Sequence, residues 1–127
     1  MTKKIVFLLT LFLSLIGVIC FEQVYTENAL SNMTQKVDSL QASINSENLS
    51  SSKEQIDEII SIWKEKEKVI CLFVDYRDIE QIGKQANLVD THLINKDFEL
   101  AKVECSALKH AINNFSNMVK FDFFNIF

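Results

Sequence analysis

An uncharged apolar run, Ile5 to Phe21, follows directly on Lys3 and Lys4. At about 1.5 Å per residue, a helix over this run is roughly 25 Å long, slightly short of a hydrocarbon core of about 30 Å. Thr2 before it, and Val24 and Tyr25 after it, extend the helix into the two interfaces. Two lysines precede the run, and Glu22 and Glu27 follow it. The positive-inside rule therefore puts the N-terminus in the cytoplasm and the remainder outside. Residues 1–21 read as a basic start and an uncleaved signal anchor of a single-pass protein of the cell membrane. Its first partner is the lipid bilayer, through residues 5–21. Two alternatives compete. A cleaved signal peptide needs small residues at −3 and −1, and Gly17 to Gln23 offers no good pair. A lipoprotein signal would use Cys20, but the bulky Ile19 stands where a small residue is needed.

Helix breakers are nearly absent. Proline does not occur, and glycine occurs at Gly17 and Gly83 alone. This argues against turn-rich all-β folds, and neither a dinucleotide fingerprint nor a Walker A loop can be written with two glycines. Nothing interrupts residues 18–49, so the membrane helix is expected to run on into the soluble part. Four apolar seams with helical spacing follow. They are Leu30, Met33, Val37, Leu40, Ile44; then Ile56, Ile59, Ile60, Trp63, Ile70, Phe73; then Ile79, Ile82, Ala86, Val89, Leu93; then Phe98, Ala101, Cys105, Leu108, Ile112, Phe115. Such seams serve an intramolecular core or a self-associating coiled coil. Four in a row favour the core. The fold class is all-α: an N-terminal transmembrane helix continuing into an antiparallel up-down bundle of about four helices. Residues 22–127 form the extracytoplasmic bundle.

Polar punctuation separates the seams. Asn45 to Ser52 is serine-rich, and Ser51 with Glu54 has a capping-box pattern. Asp75 is placed to cap the third helix and Asn95 the fourth, with Asp97 and Glu99 in its first turn. Connections this short force antiparallel neighbours. The chain then ends near the bilayer, in a Phe-rich tail from Lys120 to Phe127. That tail either folds onto the open end of the bundle or touches the membrane interface.

Chemistry-bearing residues are sparse. Without Lys3 and Lys4, 11 Lys+Arg face 17 Asp+Glu, so residues 22–127 carry a net charge of −6. That balance argues against nucleic acid as a partner. Cys71 and Cys105 sit near apolar positions and are open to two readings, a disulfide or packed thiols. His92 and His110 lie on different seams and would need to converge with Asp90 or Glu104 to hold a metal. Glu54, Asp57 and Glu58 share their helix with lysines and read as surface charge. Trp63 reads as a core anchor, with an exposed binding hot spot as the alternative. No catalytic, cofactor-binding or metal-binding residue is assigned, no cofactor is expected, and the chain does not read as an enzyme.

The order of motifs is familiar. A short basic start and one membrane helix lead to Trp63-Lys64-Glu65-Lys66-Glu67-Lys68, then Asp75, then a helix with Ile79 and Ile82. Asn95-Lys96-Asp97-Phe98-Glu99 enters an Ala/Leu helix, and the chain ends in Asn125-Ile126-Phe127. From about Thr2 to Phe127, and most strongly from Ile56, this resembles the bacterial membrane-protein family catalogued as domain of unknown function 4363. The resemblance implies a small, single-pass, exported helical protein and no particular activity. In that family an Asp-His pair and an acidic residue follow the tryptophan helix. Here Asp75 is kept, Tyr76 replaces the histidine and Asp78 supplies the acid. With the histidine gone, no metal or proton-transfer role is carried over to that turn.

Anchor and seams together lead to a structural or protein-interaction role in the cell envelope. The partner is another envelope membrane protein or a second copy. A small-ligand or metal-binding sensing module is the alternative.

Overall fold

The computed structural model describes residues 1–72 and 74–126, with side chains described through Lys120 except Phe73. Four helices occur in chain order: α1 Thr2–Asn45, α2 Leu49–Ile70, α3 Tyr76–Ile94 and α4 Phe98–Ile126. No strand occurs among the described residues. Consecutive helices pack on each other and α4 closes back on α1, whereas among the described residues the backbones of the diagonal pairs α1–α3 and α2–α4 stay apart and meet only through side chains in the core, as Trp63 of α2 meets Phe115 of α4. This is the expected up-down bundle, closed as a square.

The helix α1 has 44 residues, twice the 22 of α2. At about 1.5 Å per residue it is some 66 Å long. Its two halves differ in surroundings. None of the most apolar 18-residue window of its first half is buried. Burial starts at Gln23 and recurs every three or four residues through Thr26, Ala29, Leu30, Met33, Val37, Leu40 and Ile44. One helix thus leaves the apolar run and enters the bundle without a break, as the lack of Gly and Pro leads one to expect.

The core is made by the seams. All five residues of the first seam and all five of the third are buried. In the second, Ile56, Ile59, Trp63 and Ile70 are buried and Ile60 is half-buried; Phe73 lies outside the described residues. In the fourth, Ala101, Cys105, Leu108, Ile112 and Phe115 are buried and Phe98 packs against them. Full burial of such a Leu, Ile or Phe contributes about 1.5–3 kcal/mol relative to exposure. Trp63 meets Phe115 edge to face, with ring centroids 6.5 Å apart.

Polar pairs across the helices mark their registers. Between α1 and α2, Lys36 pairs with Glu58 at 2.6 Å and the hydroxyls of Ser43 and Ser51 lie 3.3 Å apart. Between α1 and α4, Asp38 pairs with Lys109 at 2.6 Å and the Gln41 amide donates to Ser106 Oγ at 3.3 Å. Lys53 bridges α2 and α3 by binding Asp57 on its own helix and Asp90 on the next.

The turns depart from the sequence-based expectation in two places. Asn48, not Ser51, caps α2: its side chain accepts from Ser51 N at 3.0 Å. Asp97, not Asn95, caps α4, accepting from Leu100 N at 3.1 Å. Asn95 instead ends α3. The physical reason is the same at both turns. Each preceding helix closes in a Schellman motif, with Asn48 N donating to Ser43 O and Glu47 N to Ile44 O, and with Asp97 N donating to His92 O and Lys96 N to Leu93 O. That closure uses one left-handed residue, Glu47 (φ 56°) or Lys96 (φ 57°), and makes the next residue the cap of the following helix. Asp75 caps α3 as expected, accepting from Arg77 N at 3.0 Å.

Candidate functional site

Two surface grooves on the α3 side of the bundle combine polar side chains with an apolar floor. The first, about 240 Å³, lies between α2 and α3. Trp63, Gly83 and Ala86 line it together with Lys64, Glu67, Tyr76, Glu80, Lys84 and Asn87. The indole of Trp63 is buried, and its Nε1 has no hydrogen-bond partner among the described residues. A buried unpaired donor is costly, so this N–H is the most unusual polar atom of the groove. The side chain lies against Gly83 and carries one of the two ring partners of the core's aromatic contact.

The second groove, about 370 Å³, lies between α3 and α4. Asp78, Gln81, Gln85, His110 and Asn114 give it a polar lining, and Phe115 and Met118 an apolar one. Gln85 is buried and its amide donates to the Glu104 carboxylate and, at 3.3 Å, to the Glu104 carbonyl. Sequence reasoning did not single out Gln85. The available signal was its position within the third seam, one residue before Ala86.

The residues weighed for chemistry do not converge. The Gln85–Glu104 contact sets the α3–α4 register, and in it His92 and His110 lie about 20 Å apart along the bundle. Asp90 is engaged by Lys53 and Glu104 by Gln85. Among the described residues no group of three or more His, Cys, Asp or Glu could hold a metal. Asp57 and Glu58 pair with Lys53 and Lys36.

The disulfide alternative fails on geometry. Cys71 and Cys105 are free, Cys71 at the end of α2 and Cys105 on the diagonal helix α4, whose backbones do not come close. Through the two registers on α1, Cys71 is level with Gln23 and Cys105 with Ala42, so roughly 30 Å of bundle separates them. Cys71 is exposed. Cys105 is buried, and burial pushes its thiol up to about 11, with the Asp38 carboxylate adding to the shift and Lys109 opposing it.

At the α2–α3 turn, Arg77 binds its own cap. Its guanidinium lies 3.1 Å from Asp75, and this hydrogen bond, with the Arg77 N–H, holds the Asp75 carboxyl below the ordinary range. Tyr76, the first residue of α3, is exposed.

The family described as Domain of unknown function (DUF4363) matches residues 20–126. The chain belongs to the DUF4363 family. The match begins at Cys20, so the basic start and most of the apolar run lie outside it. Its span covers the four-helix part of the chain, including the α2–α3 turn. No curated protein and no solved structure matches the chain.

Proposed function

We propose that this protein is a membrane-anchored, extracytoplasmic helical bundle with a structural or protein-interaction role in the bacterial cell envelope. One observation carries the reading: the apolar first half of α1 projects bare from the bundle while remaining the same helix. Ile5, Phe7, Leu9, Phe12, Leu13 and Phe21 each expose more than half their surface. An apolar surface of this extent is incompatible with water and fits lipid. The lysine pair before it and the acidic residues after it orient the bundle outward.

Protease shaving of intact cells tests the anchor and its orientation. The segment beyond Phe21 is digested while residues 1–21 stay with the membrane. Protection of the bundle until lysis would overturn the orientation. For the interaction role, Leu100 and Val103 on α4 and Ile94 at the end of α3 are large apolar side chains left exposed far from the anchor. Cross-linking from Val103→Cys in native membranes gives a discrete adduct, with another envelope protein or a second copy. A monomer alone, at every position tried along α4, counts against the role.

The unpaired Trp63 Nε1 favours a second reading, a small-ligand sensing module that offers this donor to a carbonyl or carboxylate. Trp63 is the chain's sole tryptophan, so its emission reports occupancy directly. Emission unchanged across carboxylate and amide ligands would remove this reading.

A further inference from the structure

At the end nearest the apolar run, four large side chains on three elements stand exposed: Phe21 (61%) and Val24 (57%) on α1, Leu72 (75%) in the α2–α3 turn and Tyr76 (62%) at the start of α3. Their heights follow from the registers. The Lys36–Glu58 and Ser43–Ser51 pairs, carried down two antiparallel helices of equal rise, bring Cys71 level with Gln23. Leu72, the next residue, then lies at about the height of Glu22. The Asp38–Lys109 and Gln41–Ser106 pairs bring Ile126, the last residue of α4, level with Phe21. The turn and the end of α4 therefore descend to the height at which the apolar run stops.

The base joins the apolar run directly, and the charged groups at its level, Glu22 on α1 and the paired Asp75 and Arg77 on the turn, set how deep it can go. The apolar run ends at Phe21 and burial in the bundle begins at Gln23, within one unbroken helix. No linker of even one turn separates them. The run is also roughly 5 Å short of a hydrocarbon core of about 30 Å, and a short span draws its flanking residues inward. Val24 and Leu72 are the flanking residues that answer that pull. Tyr25 and Tyr76 combine an apolar ring with a polar hydroxyl, the side-chain type suited to the headgroup level. Tyr25 sits 5.9 Å from the Phe21 ring, and the Lys66 ammonium lies 5.0 Å above it, tying α2 to this layer.

We infer that the base of the bundle is a second membrane contact, in which Leu72 enters the edge of the hydrocarbon and Tyr76 lies among the headgroups. This rests on the reading of residues 5–21 as a membrane span. The occupant is a lipid interface recognised by apolar contact and not by charge, since residues 22–127 carry a net charge of −6. The anchor and the turn then hold the bundle upright at two separated points.

The test uses the full chain in phosphatidylcholine vesicles, with Cys20→Ser and Cys71→Ser and the buried Cys105 kept. A nitroxide is placed in turn at Leu13→Cys, Leu72→Cys and Ile94→Cys, all exposed positions. Accessibility to oxygen, which partitions into lipid, is compared with accessibility to a water-soluble nickel chelate. Oxygen exceeds nickel several-fold at 13 and at 72, the order inverts at 94, and 150 mM against 500 mM salt changes neither. Oxygen dominance at 13 with nickel dominance at 72 would leave the anchor standing and overturn the second contact. Nickel dominance at 13 would overturn the anchor and the inference with it. Shielding of 72 from both reagents, with spin–spin broadening between copies, would assign the base to a protein interface and overturn the lipid assignment.

Discussion

Gly83 lies beside the Nε1 and Cδ1 atoms of the Trp63 indole: a Cβ added at Gly83 would stand 3.6 Å from Nε1 and 3.7 Å from Cδ1. These are ordinary contact distances, so the glycine is not required by lack of room. Glycine within a helix costs about 0.5–1 kcal/mol relative to alanine. Gly83→Ala is therefore expected to stabilise the bundle by about that amount, a rise of several degrees in Tm by circular dichroism in detergent. The added methyl group also covers the indole N–H, so any ligand sensed through Trp63 fluorescence loses its effect in the same variant.

Trp63 itself is expected to be among the most costly positions in the chain. It is 2% exposed and packs edge to face on Phe115. Trp63→Ala leaves a large cavity between α2, α3 and α4, with an expected loss of about 3–5 kcal/mol in urea unfolding. Trp63→Phe keeps much of the apolar area and removes the unpaired N–H, so it costs clearly less.

The two left-handed residues are points of gain. Glu47 (φ 56°) and Lys96 (φ 57°) occupy the position where a Schellman motif ordinarily has glycine. Lys96→Gly and Glu47→Gly are each expected to stabilise by about 0.5–1 kcal/mol, and to be additive because the substituted residues lie in different turns. Lys96→Val, β-branched at the same φ, lowers Tm.

The cysteines separate by reactivity. At pH 8 Cys71 reacts with a soluble maleimide while Cys105, buried and with its thiol raised to about 11, reacts only after unfolding. The sign of the linked pH effect follows. Between the ordinary thiol range and about 11 the unfolded chain loses this proton and the folded chain keeps it, so stability falls as pH rises through that window. Cys105→Ala is expected to flatten this part of the pH–stability curve measured by urea unfolding.

The α2–α3 turn weakens in acid. The Asp75 carboxyl is held below its ordinary range, first by the Arg77 side chain and then by the Arg77 N–H. Its contribution is present above the ordinary aspartate range and is lost as pH falls through the depressed value. Hydrogen exchange at the first amides of α3 accelerates in that acidic window, and Asp75→Asn removes the pH dependence while keeping a cap.

Much of this architecture was legible in the chain. The presence of three breaks, the four seams and the continuous first helix follow from local periodicity and the lack of Gly and Pro, although Tyr76 to Asp78, expected in the second break, already belong to α3, and Leu49 to Ser52, expected in the first, to α2. A face repeating every three or four residues must be covered, whatever covers it. The caps were half legible. Asp75 was read correctly because the helix starts directly after it, whereas Asn48 and Asp97 became caps only through the left-handed turns at Glu47 and Lys96. Those turns carry no glycine to announce them.

What the sequence determined by itself is the set of helices and the faces they bury. Only the tertiary structure decided register, and register decided the rest: that Cys71 and Cys105 lie roughly 30 Å apart, that His92 and His110 do not meet, that Trp63 falls opposite Gly83, and that Leu72 comes down beside the end of the apolar run. Periodicity within one helix is blind to sliding along its neighbour. The interlocking of the buried core side chains fixes that sliding, and exposed pairs such as Lys36 with Glu58 and Asp38 with Lys109 mark where it comes to rest.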